Sequence, residues 1–193
     1  ESYTFSDMSA KSVTQIAMSP DLSRIIMADE AGGIFGFQRG SPAPVDILGG
    51  GSDVLLALVF SPDGRRLLET STDGFARVWD LESATLVTRF RIGASGAFSE
   101  GSAAFSPDGS QILIGTLAAA RLWRADTGQR LVSLTDNGGE VNSVAFSPDG
   151  NPAITGGADT NAQLWDVVSG KPAGPVLTGH RAAINAVAFS PDG

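Results

Sequence analysis

Cysteine is absent from the 193 residues, which removes disulfide frameworks and thiolate metal sites and points to a reducing compartment. Histidine is almost as scarce. His180 stands alone, so a zinc centre or a Ser-His-Asp arrangement would have to be built on one imidazole with no predicted partner. Basic residues number 13 against 21 acidic ones, and only Lys11 and Lys171 are lysines, weakly in keeping with a GC-rich genome. The net charge of −8 argues against a phosphate-backbone binder and favours neutral or basic partners. No apolar run approaches the ~20 residues of a membrane helix. The longest, Val54 to Phe60, reads as a buried strand. No signal peptide, no Gly-rich loop ending in Gly-Lys-Ser/Thr and no Gly-x-Ser-x-Gly elbow is present. A sustained 3.6-residue period is missing too, and Gly or Pro interrupts the chain every ~10 residues, so long helices are excluded. The expectation from these absences is a cytoplasmic chain that takes no cofactor or metal and has neither nucleic acid nor membrane among its partners.

What the sequence has in quantity is glycine, 24 residues of it, and one recurring stretch. Phe-Ser-Pro-Asp-Gly stands at 60–64, 105–109, 146–150 and 189–193, and a worn copy, Met18-Ser19-Pro20-Asp21-Leu22, precedes them. The steps between copies are 42, 45, 41 and 43 residues, a period that means an array of similar units. Each copy lies between two short apolar runs and reads as a hairpin turn. Pro presets φ, Asp suits the next position and Gly supplies the positive φ that rejoins the following strand. Alternating oxygen ligands, which a calcium loop needs, are not at that spacing.

Four strands fit each unit. In the first they are Val13–Met18, 24–28, 33–37 and Val45–Leu48; in the second, 54–60, 66–70, Phe75–Asp80 and 85–90. The third runs 101–105, 111–116, Ala120–Arg124 and Arg130–Leu134, and the fourth Val141–Phe146, 153–156, Ala162–Asp166 and 175–177. One strand precedes them (Tyr3–Phe5) and one follows (183–189). Four antiparallel strands per ~40 residues describe a β-propeller blade. The expectation is an all-β chain, one partial propeller over 1–193. Its blades are 11–49, 50–93, 94–138 and 139–178, with residues 1–10 the last strand of a preceding blade and 179–193 the first of a following one.

Three units end their third strand alike, at Arg77-Val78-Trp79-Asp80, Arg121-Leu122-Trp123-Arg124 and Gln163-Leu164-Trp165-Asp166, and the first unit has Phe37 there. With Thr178-Gly179-His180 and the turn motif, this resembles the WD-repeat family of β-propellers, in the form bacterial multidomain proteins carry beside a kinase or NTPase domain. The resemblance implies a blade-locking hydrogen-bonded set: a third-strand Trp, a second-strand Ser or Thr, an Asp in the turn between them and the Gly-His histidine. Trp79, Trp123, Trp165, Asp73, Asp159, Thr155 and His180 take those places. Leu117 and Glu69 depart from the pattern, so no unit holds the full set and packing carries the blades.

The resemblance also implies a non-catalytic protein-interaction scaffold or regulatory module. It would bind a protein or peptide through the rim loops that join fourth to first and second to third strands. On that rim Asp53, Phe98, Asn137, Glu140 and Arg181 are the expected contact residues. The alternative from another class is a glycosidase-like propeller hydrolase with carboxylates such as Asp29, Glu30 or Glu100 at the central channel. The opening at Glu1-Ser2-Tyr3 and the stop inside a turn motif read as a segment of something longer. Completion by further blades, or self-association, is the expected consequence of the open ends.

Overall fold

A computed structural model describes residues 12–40, 45–48 (backbone), 53–94, 102–134 and 139–193. All the regular structure among them is β. Four antiparallel sheets of four strands follow one another along the chain, each in simple sequence order. The first sheet holds β1 (Val13–Met18), β2 (Arg24–Asp29), β3 (Ile34–Gln38) and β4 (Val45–Leu48). The second holds β5 (Leu55–Phe60), β6 (Arg66–Ser71), β7 (Phe75–Asp80) and β8 (Thr85–Arg91). The third is β9 (Ala103–Phe105), β10 (Gln111–Gly115), β11 (Ala120–Arg124) and β12 (Arg130–Leu134), and the fourth β13 (Val141–Phe146), β14 (Ala153–Gly157), β15 (Ala162–Asp166) and β16 (Lys171–Pro172). No helix among the described residues is long and apolar enough to cross a membrane.

The recurring motif builds the first turn of each sheet. The serine carbonyl accepts the N–H of the glycine, as from Gly64 to Ser61 at 2.9 Å and Gly109 to Ser106 at 2.8 Å. The serine hydroxyl donates to the aspartate two residues on and, in the first three copies, accepts the N–H five residues on. Gly64 and Gly109 both take φ 69°. In the worn first copy Leu22 is held at φ 58° instead.

The sheets stack face to face, with an apolar core in each of the three gaps. Ile26, Ala28, Leu55, Leu58, Phe60 and Leu67 fill the first gap. Leu68, Val78, Phe90, Phe105, Ile112 and Trp123 fill the second, where the Phe90 and Trp123 ring centroids are 4.9 Å apart. Leu113, Leu122, Leu134, Val141, Val144 and Trp165 fill the third. Each third-strand tryptophan therefore packs toward the preceding sheet. Fully burying one such side chain is worth about 1.5–3 kcal/mol or more, so the gaps are the main source of cohesion. The first strands β1, β5, β9 and β13 lie next to one another in order, the innermost position of propeller blades.

Two strand expectations need correction. The fourth strand of the last sheet is not 175–177. Lys171–Pro172 pairs with Trp165 and Asp166, the chain then leaves the ladder, and Leu177 returns as a single bridge to Ala162. Pro172 and Pro175 have no N–H to give, and a ladder cannot run through them. Residues 183–189 have no ladder pairing either. They lie against β13 and β14, with the Val187 N–H donating to Ser143 Oγ (3.0 Å) and Asn142 Nδ2 to the Ile184 carbonyl (3.1 Å). The expected opening strand at Tyr3–Phe5 lies outside the described residues.

Candidate functional site

At one end of the sheets, the junction entering each first strand is tied to the turn between second and third strands. Glu30 N–H donates to the Ser12 carbonyl (3.1 Å), Thr72 to Val54 (3.0 Å), Gly115 to Ser102 (2.8 Å) and Ala158 to Glu140 (2.9 Å). Two further bonds cross to the next unit, Val141 N–H to the Thr116 carbonyl and Ile184 N–H to the Gly157 carbonyl, both 3.0 Å. Gly157 fits because it lacks a side chain: a Cβ there would lie 2.1 Å from the Glu140 carbonyl oxygen. The described ends of the junctions thus lie beside these turns at one end of the sheets. Asp53 and Glu140 sit there half-buried and Arg181 exposed; Phe98 and Asn137 lie outside the described residues.

Beneath the rim, the third-strand aromatics differ from sheet to sheet. Trp165 Nε1 donates to the buried Thr155 hydroxyl at 2.8 Å. Ladder register places Ile114 and Glu69 where Thr155 stands. Trp123 Nε1 has no acceptor among the described residues, and Trp79 Nε1 approaches Glu69 without reaching hydrogen-bond geometry. The WD domain, G-beta repeat model matches residues 43–80, 128–166 and 173–193, just over half of the chain. The chain belongs to the WD40 repeat family. It is 31% identical over 115 residues to Transducin beta-like protein 3 of Bos taurus, covering 58% of this chain and 14% of that protein. To the Transcription initiation factor TFIID subunit 5 of Caenorhabditis elegans it is 30% identical over 147 residues, 76% of this chain and 22% of that one. An uncharacterized WD repeat-containing protein of Synechocystis is 30% identical over 127 residues, 65% and 36% respectively. The chain thus spans about a third or less of the length of these relatives.

The residues that the resemblance assigns to a blade lock are engaged differently in the second, third and fourth sheets. In the second, Glu69, Asp73 and Arg77 form an ion-pair ladder. Arg77 donates to Glu69 at 3.1 Å, pairs closely with Asp73, and Arg89 stands 3.9 Å from the same Asp73 oxygen. Burial pushes Glu69 above its ordinary carboxylate range, against the pull of Arg77. Asp73 is also desolvated, but hydrogen bonds from Ser71 and the Phe75 N–H, with Arg77, hold it below that range. In the third blade Thr116, not an aspartate at 117, closes the turn: its hydroxyl donates to the Ala119 carbonyl at 2.7 Å and accepts the Ala119 N–H at 3.3 Å. Asp159 accepts the Asn161 N–H at 3.2 Å, and His180 is exposed with no hydrogen bond to any described residue.

Sequence reasoning missed Thr116, Arg77 and the pair Ser102 and Ser143. Each of those serines stands three residues before a motif phenylalanine and accepts an N–H from the next unit, Val144 and Val187, at 3.0 Å. Motif phase was the signal that could have found them. Asp29, considered for hydrolysis, accepts the N–H groups of Ala31 and Gly33 in a turn. Among the described residues no three His, Cys, Asp or Glu side chains gather as a metal site would require.

Proposed function

We propose that this chain is a non-catalytic protein-interaction module whose contact surface is the rim built from the first-strand junctions and the second-to-third-strand turns. WD40 repeats generally mediate protein–protein contacts, and one relative is by name a subunit of transcription initiation factor TFIID. The observation that carries the reading is the run of backbone ties that fixes each junction to its turn in all four blades. Such ties order the backbone beside the half-buried Asp53 and Glu140 and the exposed Arg181, which lowers the ordering cost of binding. Phe98 and Asn137 belong to the same proposal by sequence position. The acidic charge favours a basic protein or peptide. A cytoplasmic, bacterial setting and a place within a larger scaffold belong to the proposal as well. The hydrolase reading has no observation among the described residues in its favour.

A panel of basic and neutral peptides, screened against the full chain and its Glu140→Lys/Arg181→Glu variant, tests the reading. Loss of a wild-type binder in the rim variant, with retention in Arg65→Glu on the opposite end, supports it. Equal binding in all three chains removes the rim from the site.

A further inference from the structure

Phe75 opens β7 at the outer corner of the second blade, and three guanidinium groups converge on its ring. Arg89 stacks 3.8 Å from the ring centroid, Arg91 5.3 Å and Arg77 6.0 Å. Ladder register explains the gathering. Phe75 faces Arg91 across the β7–β8 pair, and Arg77 faces Arg89. Like charges placed directly opposite on a sheet are destabilising, so this arrangement has a standing cost in the free chain.

The charges are unevenly balanced. Arg77 is engaged by Glu69 and Asp73. Arg89 stands 3.9 Å from the Asp73 oxygen that Arg77 already holds and is 47% exposed. Arg91 is exposed and has no carboxylate partner among the described residues. A guanidinium stacked by its face on a ring keeps its edge N–H donors free for an acceptor. The result is a cationic corner on a chain of net charge −8.

Beside it, β8 is the outermost strand of its sheet, with no further strand paired to it among the described residues. An edge strand offers its unpaired N–H and C=O groups to an extended peptide, and side chains two apart share a face at roughly 6.5–7 Å. Arg89 and Arg91 are two apart on one face.

We infer that the β8 edge of the second blade, with Phe75, Arg89 and Arg91, docks an extended acidic peptide segment carrying carboxylates at alternate positions. The peptide adds to the sheet, two of its carboxylates meet the two arginine edges, and its intervening side chains turn away. A nucleic acid fits poorly, because a long polyanion would run from this corner over a negative surface. This site uses no residue of the rim reading and stands or falls without it.

The test is fluorescence-anisotropy titration of the full chain with a labelled peptide of alternating glutamate and threonine. Saturable binding is expected, weaker with added salt, and reduced about tenfold or more in Arg89→Glu/Arg91→Glu. Arg65→Glu, an exposed cation elsewhere, is expected to bind as wild type. Serine in place of every glutamate in the peptide abolishes binding to the unaltered chain, a readout that depends on no variant folding. Equal affinity for the serine peptide, undiminished binding by a folded double variant, or stronger binding of a poly-dT oligonucleotide that competes for the corner overturns the inference.

Discussion

Glu69 occupies the ladder position that Thr155 holds in the fourth blade, and the exchange makes that position respond to pH. Its carboxyl, 7% exposed, is pushed above the ordinary 4.5 by burial. An acid raised on folding favours the fold below its unfolded pKa and loses that contribution as pH rises through its folded value. Glutamine keeps the neutral form at every pH, while Arg77 retains Asp73. Urea unfolding of Glu69→Gln is therefore expected to show a stability gain over wild type at pH 7 that closes near pH 4. A gap unchanged between the two pH values would mean that Glu69 is not the titrating group. The turn aspartates have the opposite sign. Hydrogen bonds from Ser19 and Ser23 hold Asp21 at about 2, and Ser61 and Ser106 lower Asp63 and Asp108 likewise. Their contribution is full above the ordinary 3.8 and is lost as pH falls below it, so wild-type stability is expected to decline below about pH 4. At the fourth blade, Thr155→Val leaves the Trp165 N–H buried without an acceptor. It is expected to cost about 1–3 kcal/mol in the same assay.

The turn is the element that the chain repeats, and its one worn copy shows what the glycine contributes. Leu22 sits at φ 58° and is 62% exposed, so its side chain gains little from packing while its backbone is held in the left-handed region. Leu22→Gly is expected to stabilise the chain by about 1 kcal/mol, seen as a raised unfolding midpoint. An unchanged or lowered midpoint would show that the Leu22 side chain supports the turn in a way its exposure does not suggest. The turn, its period and most strand bounds were legible in the sequence because Phe-Ser-Pro-Asp-Gly is a local structure, closed by its own serine and aspartate. Seven of the strands, Phe75–Asp80 and Val141–Phe146 among them, begin and end where the alternation and turn residues place them. What was not legible depends on neighbours. The register shifts near the start of β1, β5 and β13 answer to the adjoining junction, not to their own residues. Thr116 closes its turn through a hydroxyl that donates to the Ala119 carbonyl and accepts the Ala119 N–H, a pairing that no motif residue announces. The arginines around Phe75 are 14 and 16 residues from it in Arg89 and Arg91, and only the ladder brings them together.

Across the whole molecule the three gaps between sheets are closed, whereas no described residue covers the face of the first sheet turned away from the second. Motif phase aligns Ile16 and Met18 with Leu58 and Phe60 of the second unit. Leu58 and Phe60 are buried in the first gap, whereas Ile16 is 64% and Met18 55% exposed. Positions that form the core elsewhere are therefore exposed here among the described residues, and contiguous exposed apolar surface drives association. Stacking of this face on a further sheet, from another copy or from additional blades, would repeat the geometry of the closed gaps. The isolated 193-residue chain is expected to associate with rising concentration in light scattering. Ile16→Lys with Met18→Lys is expected to shift it toward the monomer. Both side chains are already exposed, so the double variant gives up little burial and its thermal midpoint should stay close to wild type. A wild-type chain that remains monomeric at high concentration would show that this face is covered within the chain itself. Equal association of wild type and double variant would place the contact elsewhere, with the β8 edge the next surface to alter.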